Sequence, residues 1–334
     1  MTPRAVRRHR FVQVGLVLAC LGAGACRRSS PSMLHPAGSE ARRVAGLWWL
    51  MFGLAAGVYA IVGGFIVFAV VRGRRTEGGK PSRISDSAFV WWGGIIVPVI
   101  ILMVLAVETV SATAALRKPD SRALKVEVVG KRWWWQVTYP GQGITTANEI
   151  HIPAGQPVEI GLDSDNVIHS FWVPQLAGKV DMIPGQHNVL RFTAGTPGTY
   201  KGACAEFCGL EHGLMRFVVI VDPPDGFGRW VARNQLTPAV DTEQASEGQI
   251  VFNRETCAGC HTIKGTQAQG KVGPDLTDFG SRTMIGAATV PNDPQHLQQW
   301  ITDAQSIKRG VLMPPVPLSS RDAQAVVAYL ESLR

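Results

Sequence analysis

Between Cys204 and Met215 the chain reads Cys-Ala-Glu-Phe-Cys-Gly-Leu-Glu-His-Gly-Leu-Met, which places two thiols, an imidazole and a thioether within twelve residues. The spacing is Cys-x3-Cys-x3-His-x2-Met. These are soft or borderline donors, the set that selects copper over hard cations. One more imidazole, His169, stands upstream in Val-Ile-His-Ser-Phe-Trp-Val-Pro, after a strand-like run. Two sulfurs four residues apart on a tight loop can bridge two copper ions. Each copper then needs one terminal histidine and one weak axial donor. His169 and His212 fit the terminal positions; Met215 and the backbone carbonyl of Glu206 fit the axial ones. The competing reading is a short Cys204–Cys208 disulfide in an oxidising compartment, and the histidine and methionine at fixed offsets weigh against it.

A second constellation is Cys257-Ala-Gly-Cys260-His261. C-x-x-C-H reads as covalent attachment of a c-type haem, with both thiols forming thioethers and the histidine holding the iron. A thioredoxin-like redox motif is the rival. It is disfavoured by the adjacent histidine and by the absence of an alternating strand–helix pattern around it. An electron-carrying haem is expected to take methionine as its second ligand, because Met/His ligation raises the potential. The candidates are Met284 and Met313. The six cysteines divide evenly among the copper loop, the haem motif and an amino-terminal segment, so the even count is not a disulfide framework.

The elements that must position these groups follow from the rest of the pattern. Arg4 to Arg10 form a basic start, Phe11 to Leu21 a short apolar run, and small residues lead to Ala25-Cys26. This reads as a secretory signal, with Cys26 the expected lipidated first residue and Cys20 its competitor. Between Arg43 and Arg72 lie 28 residues without a charge, and between Asp86 and Glu108 another 21. Each run is long enough for a transmembrane helix; Pro98 is expected to bend the second. The loop between them, Arg72 to Arg83, is short and basic and belongs in the cytoplasm, which leaves everything after about Leu116 on the outer side. From Leu124 onward short alternating runs punctuated by Pro and Gly predict a β-sandwich or barrel, whose rim loops carry the ligands. Residues 223–241 read as a linker with a short helix around Trp230. Beyond it, faces built from Gly248 and Phe252, from Leu297, Trp300, Ile301 and Ala304, and from Val326, Tyr329, Leu330 and Leu333 predict three helices, the last capped by Ser319.

The net charge of +8 is unevenly spread. Residues 1–83 hold 13 Lys/Arg against Glu40 and Glu77, whereas the remainder holds 20 against 23 acids. The basic excess therefore serves membrane topology, and no basic patch with interleaved aromatics offers a nucleic-acid surface. His151, His187 and His296 are read as surface or packing histidines without ligand-like neighbours.

Residues 148–221 resemble the copper A domain of cytochrome c oxidase subunit II, on the motifs His-Ser-Phe-Trp-Val-Pro and Cys-Ala-Glu-Phe-Cys-Gly-x-x-His-x-x-Met. Residues 244–334 resemble a class I cytochrome c, fused as in the caa3-type oxidases. The resemblance implies a membrane-anchored multidomain chain with a two-helix transmembrane hairpin, a cupredoxin-like Greek-key β-barrel and an all-α cytochrome c domain. The expected boundaries are 1–25 for the signal and 26–120 for the amino-terminal segment with helices at about 44–71 and 87–110. The copper domain is expected at 121–222, the linker at 223–243 and the haem domain at 244–334.

The resemblance also implies roles. Trp133, heading the Trp133-Trp134-Trp135 cluster, corresponds to a tryptophan exposed near the copper that accepts the electron. Met313, in Leu-Met-Pro-Pro before the last helix, corresponds to the distal haem ligand, and the proline in Gly273-Pro274 backs His261. The Glu206 carboxylate helps hold a magnesium ion at the boundary with subunit I, near Asp181. Gln186 stands where the family often has arginine, and Trp91 and Trp92 stand where a proton-channel glutamate is found, with Asp86 the nearest acid. The implied activity is electron delivery from a cytochrome c or similar donor, through covalent haem c and binuclear copper A, to haem a of subunit I. Oxygen reduction and proton translocation belong there, since this chain has no histidine-rich helices for such a site. Subunits I and III and membrane lipid are the implied partners. The implied location is a bacterial inner membrane with both metal domains on the periplasmic side. Two rival readings are a nitric oxide reductase copper A subunit and a copper-delivery lipoprotein on a thioredoxin-like fold.

Overall fold

The computed structural model describes residues 31–73, 85–116 and 118–334. The expected signal with Cys20 and Cys26, and the basic loop from 74 to 83, lie outside the described residues. Helix α1 spans Ser39–Gly73. A turn at Asp86–Phe89 and a π-helical stretch, Val90–Ile96, lead into α2, Val97–Leu116. The π-helical stretch ends just before Pro98, the position where the sequence predicts a bend. Proline has no N–H to return to the preceding turn and its ring crowds the carbonyl four residues back, and a wider turn relieves both. Both helices are apolar and long enough to cross a membrane, and none of their apolar windows is buried in the protein. Trp48, Trp49, Trp91 and Trp92 all point outward.

The start of α1 is stitched to the β domain. Ala37 and Gly38 N–H donate to Gln175 O at 2.7 and 3.0 Å, and Thr193 N–H donates to Ser39 Oγ at 3.0 Å. These bonds fix the β domain directly against the amino-terminal end of the helix.

Ten strands then form two facing five-stranded sheets. They are β1 Leu124–Lys131, β2 Trp134–Tyr139, β3 Ile144–Ala147, β4 Glu149–Pro153, β5 Pro157–Ser164, β6 His169–Trp172, β7 Val180–Met182, β8 Asn188–Thr193, β9 Gly198–Cys204 and β10 Arg216–Asp222. One sheet runs β3-β2-β1-β5-β8, the other β4-β10-β9-β6-β7. Alternation places Val126, Val128, Trp135, Val137 and Tyr139 in the shared core. Trp135 is fully buried, edge-on to Phe171 and Phe217 at 5.8 and 5.0 Å.

Helix α3, Gly226–Gln235, is part of this domain rather than a free linker. Its Trp230 is 4 % exposed. It stacks on His151 at 4.6 Å and packs on Tyr139 at 5.0 Å. His151 is thus a packing histidine, with Nδ1 2.9 Å from Asp222.

The carboxyl-terminal domain is built from α4 Glu243–Arg254, the turn Cys257–Cys260, α5 Pro294–Ile307 and α6 Ser320–Ser332. A two-residue ladder pairs β11 Met284–Ile285 with β12 Val290–Pro291, a small departure from the all-α expectation. The Ser319 side chain caps α6 by accepting from Asp322 N–H at 3.1 Å. Helices α4 and α6 cross at Gly248, where a Cβ would stand 1.9 Å from Ala325 O and 2.8 Å from Tyr329 Cβ. Only glycine permits that approach. Gly248→Val should therefore force the helices apart and lower the stability of the haem domain by about 1–3 kcal/mol, as overpacking does elsewhere. Thermal denaturation followed by haem absorbance checks this, and a variant as stable as wild type would contradict it.

Candidate metal and haem sites

The ligand loop joins β9 to β10. Antiparallel pairing sets Ala203 against Arg216, and Cys204 N–H donates to Met215 O at 2.9 Å. The two ends of the loop are thereby clamped face to face. Inside it, Cys204 Sγ lies 3.7 Å from Cys208 Sγ, 3.8 Å from His169 Nδ1 and 3.2 Å from Glu206 O. Cys208 Sγ lies 3.7 Å from His212 Nδ1 and 3.8 Å from Met215 Sδ. The sulfurs are too far apart for a disulfide, whose S–S length is about 2.05 Å. Donors bound to one metal at about 2.0–2.3 Å stand roughly 3.5 Å apart when tetrahedral, so the donor set fits soft metal ions. His169, Cys204, Cys208 and Met215 are all buried.

Two residues absent from the sequence reading support His169. Asn166 Oδ1 accepts from His169 Nε2 at 3.3 Å, which leaves Nδ1 to face the sulfur. Gly130 supplies the space, since a Cβ there would stand 2.8 Å from the imidazole. The thiol pair shares its protons unequally. The hydrogen bond to Cys208 holds the Cys204 thiol far below the usual range, with help from His169 and backbone groups. Cys208 is held up by that same bond, by burial and by the neighbouring anion.

Trp133 stands between this loop and the second site. Its Nε1–H donates to Cys208 O at 2.9 Å, and its ring lines the cavity beside the C-x-x-C-H motif. The expectation of an exposed Trp133 needs correction. It is 8 % exposed because the haem domain covers it.

That cavity is walled by Cys257, Cys260, His261, Met284, Met313 and Arg282 among others. His261 Nδ1–H donates to Pro274 O at 2.8 Å, leaving Nε2 free for a ligand bond. Burial pushes the His261 pKa down, favouring the neutral ring that a metal needs. A Cβ on Gly273 would stand 2.5 Å from this imidazole. Arg282 is a further residue the sequence did not signal. It is buried, donates to Thr146 Oγ1 at 3.2 Å and to Asp275 O, and its Nε has no partner among the described residues. An unmatched guanidinium donor on a haem-sized apolar cavity fits a group carrying carboxylates. Met284 and Met313 both line the cavity, so both distal candidates remain in place.

The magnesium expectation meets a cation already present. Lys179 Nζ lies 3.9 Å from both Asp181 and Glu206 carboxylates, all three half-exposed. His187 is also corrected. It pairs with Asp163 at 2.9 Å, and with Glu127 they bring three ligand atoms within 4.8 Å of one another, neighbours contributed by β1 and β5 that no local sequence window contains. Asp293 caps α5 by accepting from His296 N–H at 2.9 Å, and its other oxygen meets the His296 ring at 2.7 Å, so His296 is a packing histidine of the helix start.

Residues 142–221 match the family described as cytochrome C oxidase subunit II, periplasmic domain, and residues 245–334 match cytochrome c. A cytochrome c oxidase subunit 2 of Alkalihalophilus pseudofirmus is 36% identical over 285 residues, spanning 83% of this chain and 82% of that one. The chain belongs to the cytochrome c oxidase subunit 2 family. The subunit 2 of Bacillus sp. strain PS3 is 33% identical over 288 residues, spanning 79% of this chain and 80% of that one, and the Bacillus subtilis protein is 28% identical with 96% of each chain covered. The two matched domains imply a copper A centre and a haem c in one subunit 2, anchored to a membrane and partnered by subunit I and a cytochrome donor.

Asn166→Ala should weaken copper retention by about 10- to 100-fold, the usual cost of removing a bond that orients a ligating histidine. Competition with a chelator of known affinity, read alongside an unchanged haem spectrum, checks it.

Proposed function

We propose that this chain is the electron-input subunit of a caa3-type cytochrome c oxidase. It takes electrons from a cytochrome donor at its haem domain and delivers them through its copper domain to haem a of subunit I, where oxygen reduction drives proton translocation. The observation that carries this reading is the position of Trp133, which lines the cavity of the C-x-x-C-H motif and hydrogen-bonds the backbone of Cys208. The two candidate redox sites are thus one residue apart.

Two copper ions would be held by His169, Cys204, Glu206 O, Cys208, His212 and Met215, and one haem by thioethers to Cys257 and Cys260. His261 and Met313 would be its axial ligands; Met313 is preferred to Met284 because it sits in an irregular segment before α6, free to turn toward the ring. Copper held by these donors would supply a one-electron couple. The β9–β10 clamp fixes the loop, Asn166 orients His169, Pro274 orients His261, and burial keeps water from the sulfurs.

The same reading includes further elements. The Glu206 carboxylate, once released from Lys179, would join a magnesium ion at the subunit I boundary, and subunit III would complete the complex. The two apolar helices would place both metal domains on the periplasmic side of a bacterial inner membrane, with Cys26 lipidated. A copper-delivery protein would need a thioredoxin-like fold, and the copper loop here closes a two-sheet sandwich instead.

Cys204→Ser tests the assignment. It should abolish the copper absorption and release the copper, while the haem remains bound and is still reduced by the donor. A variant that keeps its copper would remove Cys204 from the ligand set; one whose haem can no longer be reduced would reverse the order of electron flow.

A further inference from the structure

Lys308 follows α5, and its side chain is 1 % exposed. A lysine buried this deeply is rare unless paired, and among the described residues it has no carboxylate within ion-pair distance. Its ammonium has three N–H donors, and three carbonyls receive them. Lys308 Nζ donates to Trp133 O at 2.8 Å, to Leu214 O at 3.0 Å and to Gly286 O at 3.4 Å. Gly286 belongs to its own domain. Leu214 sits between the candidate ligands His212 and Met215, and Trp133 spans the two sites. One side chain of the haem domain therefore grips both the ligand loop and the residue between the two redox centres.

Neighbouring contacts surround this grip. Arg216 N–H donates to Ala287 O at 3.3 Å. Thr283 N–H and Met284 N–H donate to Glu149 Oε1 at 2.8 and 3.2 Å. Leu210 of the ligand loop leaves no room for a Cβ on Gly310, two residues beyond Lys308. Burial pulls the Lys308 pKa down to about 8, with Arg216 adding to the fall and Glu211 opposing it.

We infer that Lys308 is a positioning residue for electron transfer between the haem and copper domains, holding Trp133 and the ligand loop in register through their carbonyls while its charge acts on the copper site. The inference rests on the functional reading above. It adds a residue with no ligand role and no place in either motif.

The test uses the full chain loaded with haem and copper, and compares wild type with Lys308→Met and Lys308→Arg. Rapid photochemical reduction of the haem, followed optically, reads the rate of transfer to copper. Lys308→Met should slow it severalfold, with both absorption spectra retained. It should also lower the copper potential, because a nearby cation disfavours the oxidised, more positive metal pair. Lys308→Arg, which keeps the charge, should restore the potential. In the copper-free chain, amide exchange at residues 209–216 and 284–290 should rise in Lys308→Met and stay low in α6. If Lys308→Met fails to load both groups, Lys308→Gln, which keeps N–H donors without the charge, should still lower the copper potential, and an unchanged potential in it would overturn the inference. A wild-type chain that binds no copper would sink the functional reading itself. A loaded wild type that transfers electrons, beside a Lys308 variant with unchanged rate, potential and exchange, would overturn this inference alone.

Discussion

The hydrogen bond from Cys204 N–H to Met215 O closes the base of the ligand loop, and the rest of the site depends on that closure. An eleven-residue excursion between two strands has many conformations, and ordering them has a large entropic cost. The β9–β10 ladder meets that cost outside the loop, in a fully buried two-sheet core. Register does the rest. Because Ala203 faces Arg216, Cys204 and Met215 must emerge side by side, and the loop between them has only to fold inward. His169 arrives from β6, which pairs with β9 on its other side, so three adjacent strands of one sheet define three of the donor atoms.

The second constraint is the seam between the domains. Trp133 and Lys308 occupy it from opposite sides, one hydrogen-bonded to the ligand loop through its indole and the other through its ammonium. Arg282 and Glu149 reach across the same seam to partners in the opposite domain. A seam held by buried polar groups is directional, since each donor must meet its acceptor or leave an unsatisfied group behind. Such a seam sets the relative position of two redox sites more tightly than apolar packing alone.

Much of this was legible in the chain. The ligand types and spacings of the copper loop and the haem motif are local, so they can be read without a fold. So could the alternation of Val126 and Val128, the charge-free runs of α1 and α2, and the Ser319 cap. What escaped was non-local. Lys308 follows an amphipathic helix in Lys-Arg-Gly, which reads as a solvated end; its burial depends on strands some 175 positions upstream in sequence. The same holds for Asn166, whose role depends on the rotamer of His169, and for His187, whose acidic neighbours come from β1 and β5. Trp133 was found as a residue but its burial was not, because the domain that covers it begins more than a hundred residues later.

The central claim is that one polypeptide carries a thiolate-bridged copper pair fed by a covalent haem. Elemental analysis of the purified full chain, combined with electron paramagnetic resonance of its oxidised form, addresses it most directly. The account predicts two coppers for each haem iron and a copper hyperfine pattern from one electron shared over two equivalent nuclei. One copper per iron, with the pattern of a single copper nucleus, would contradict it.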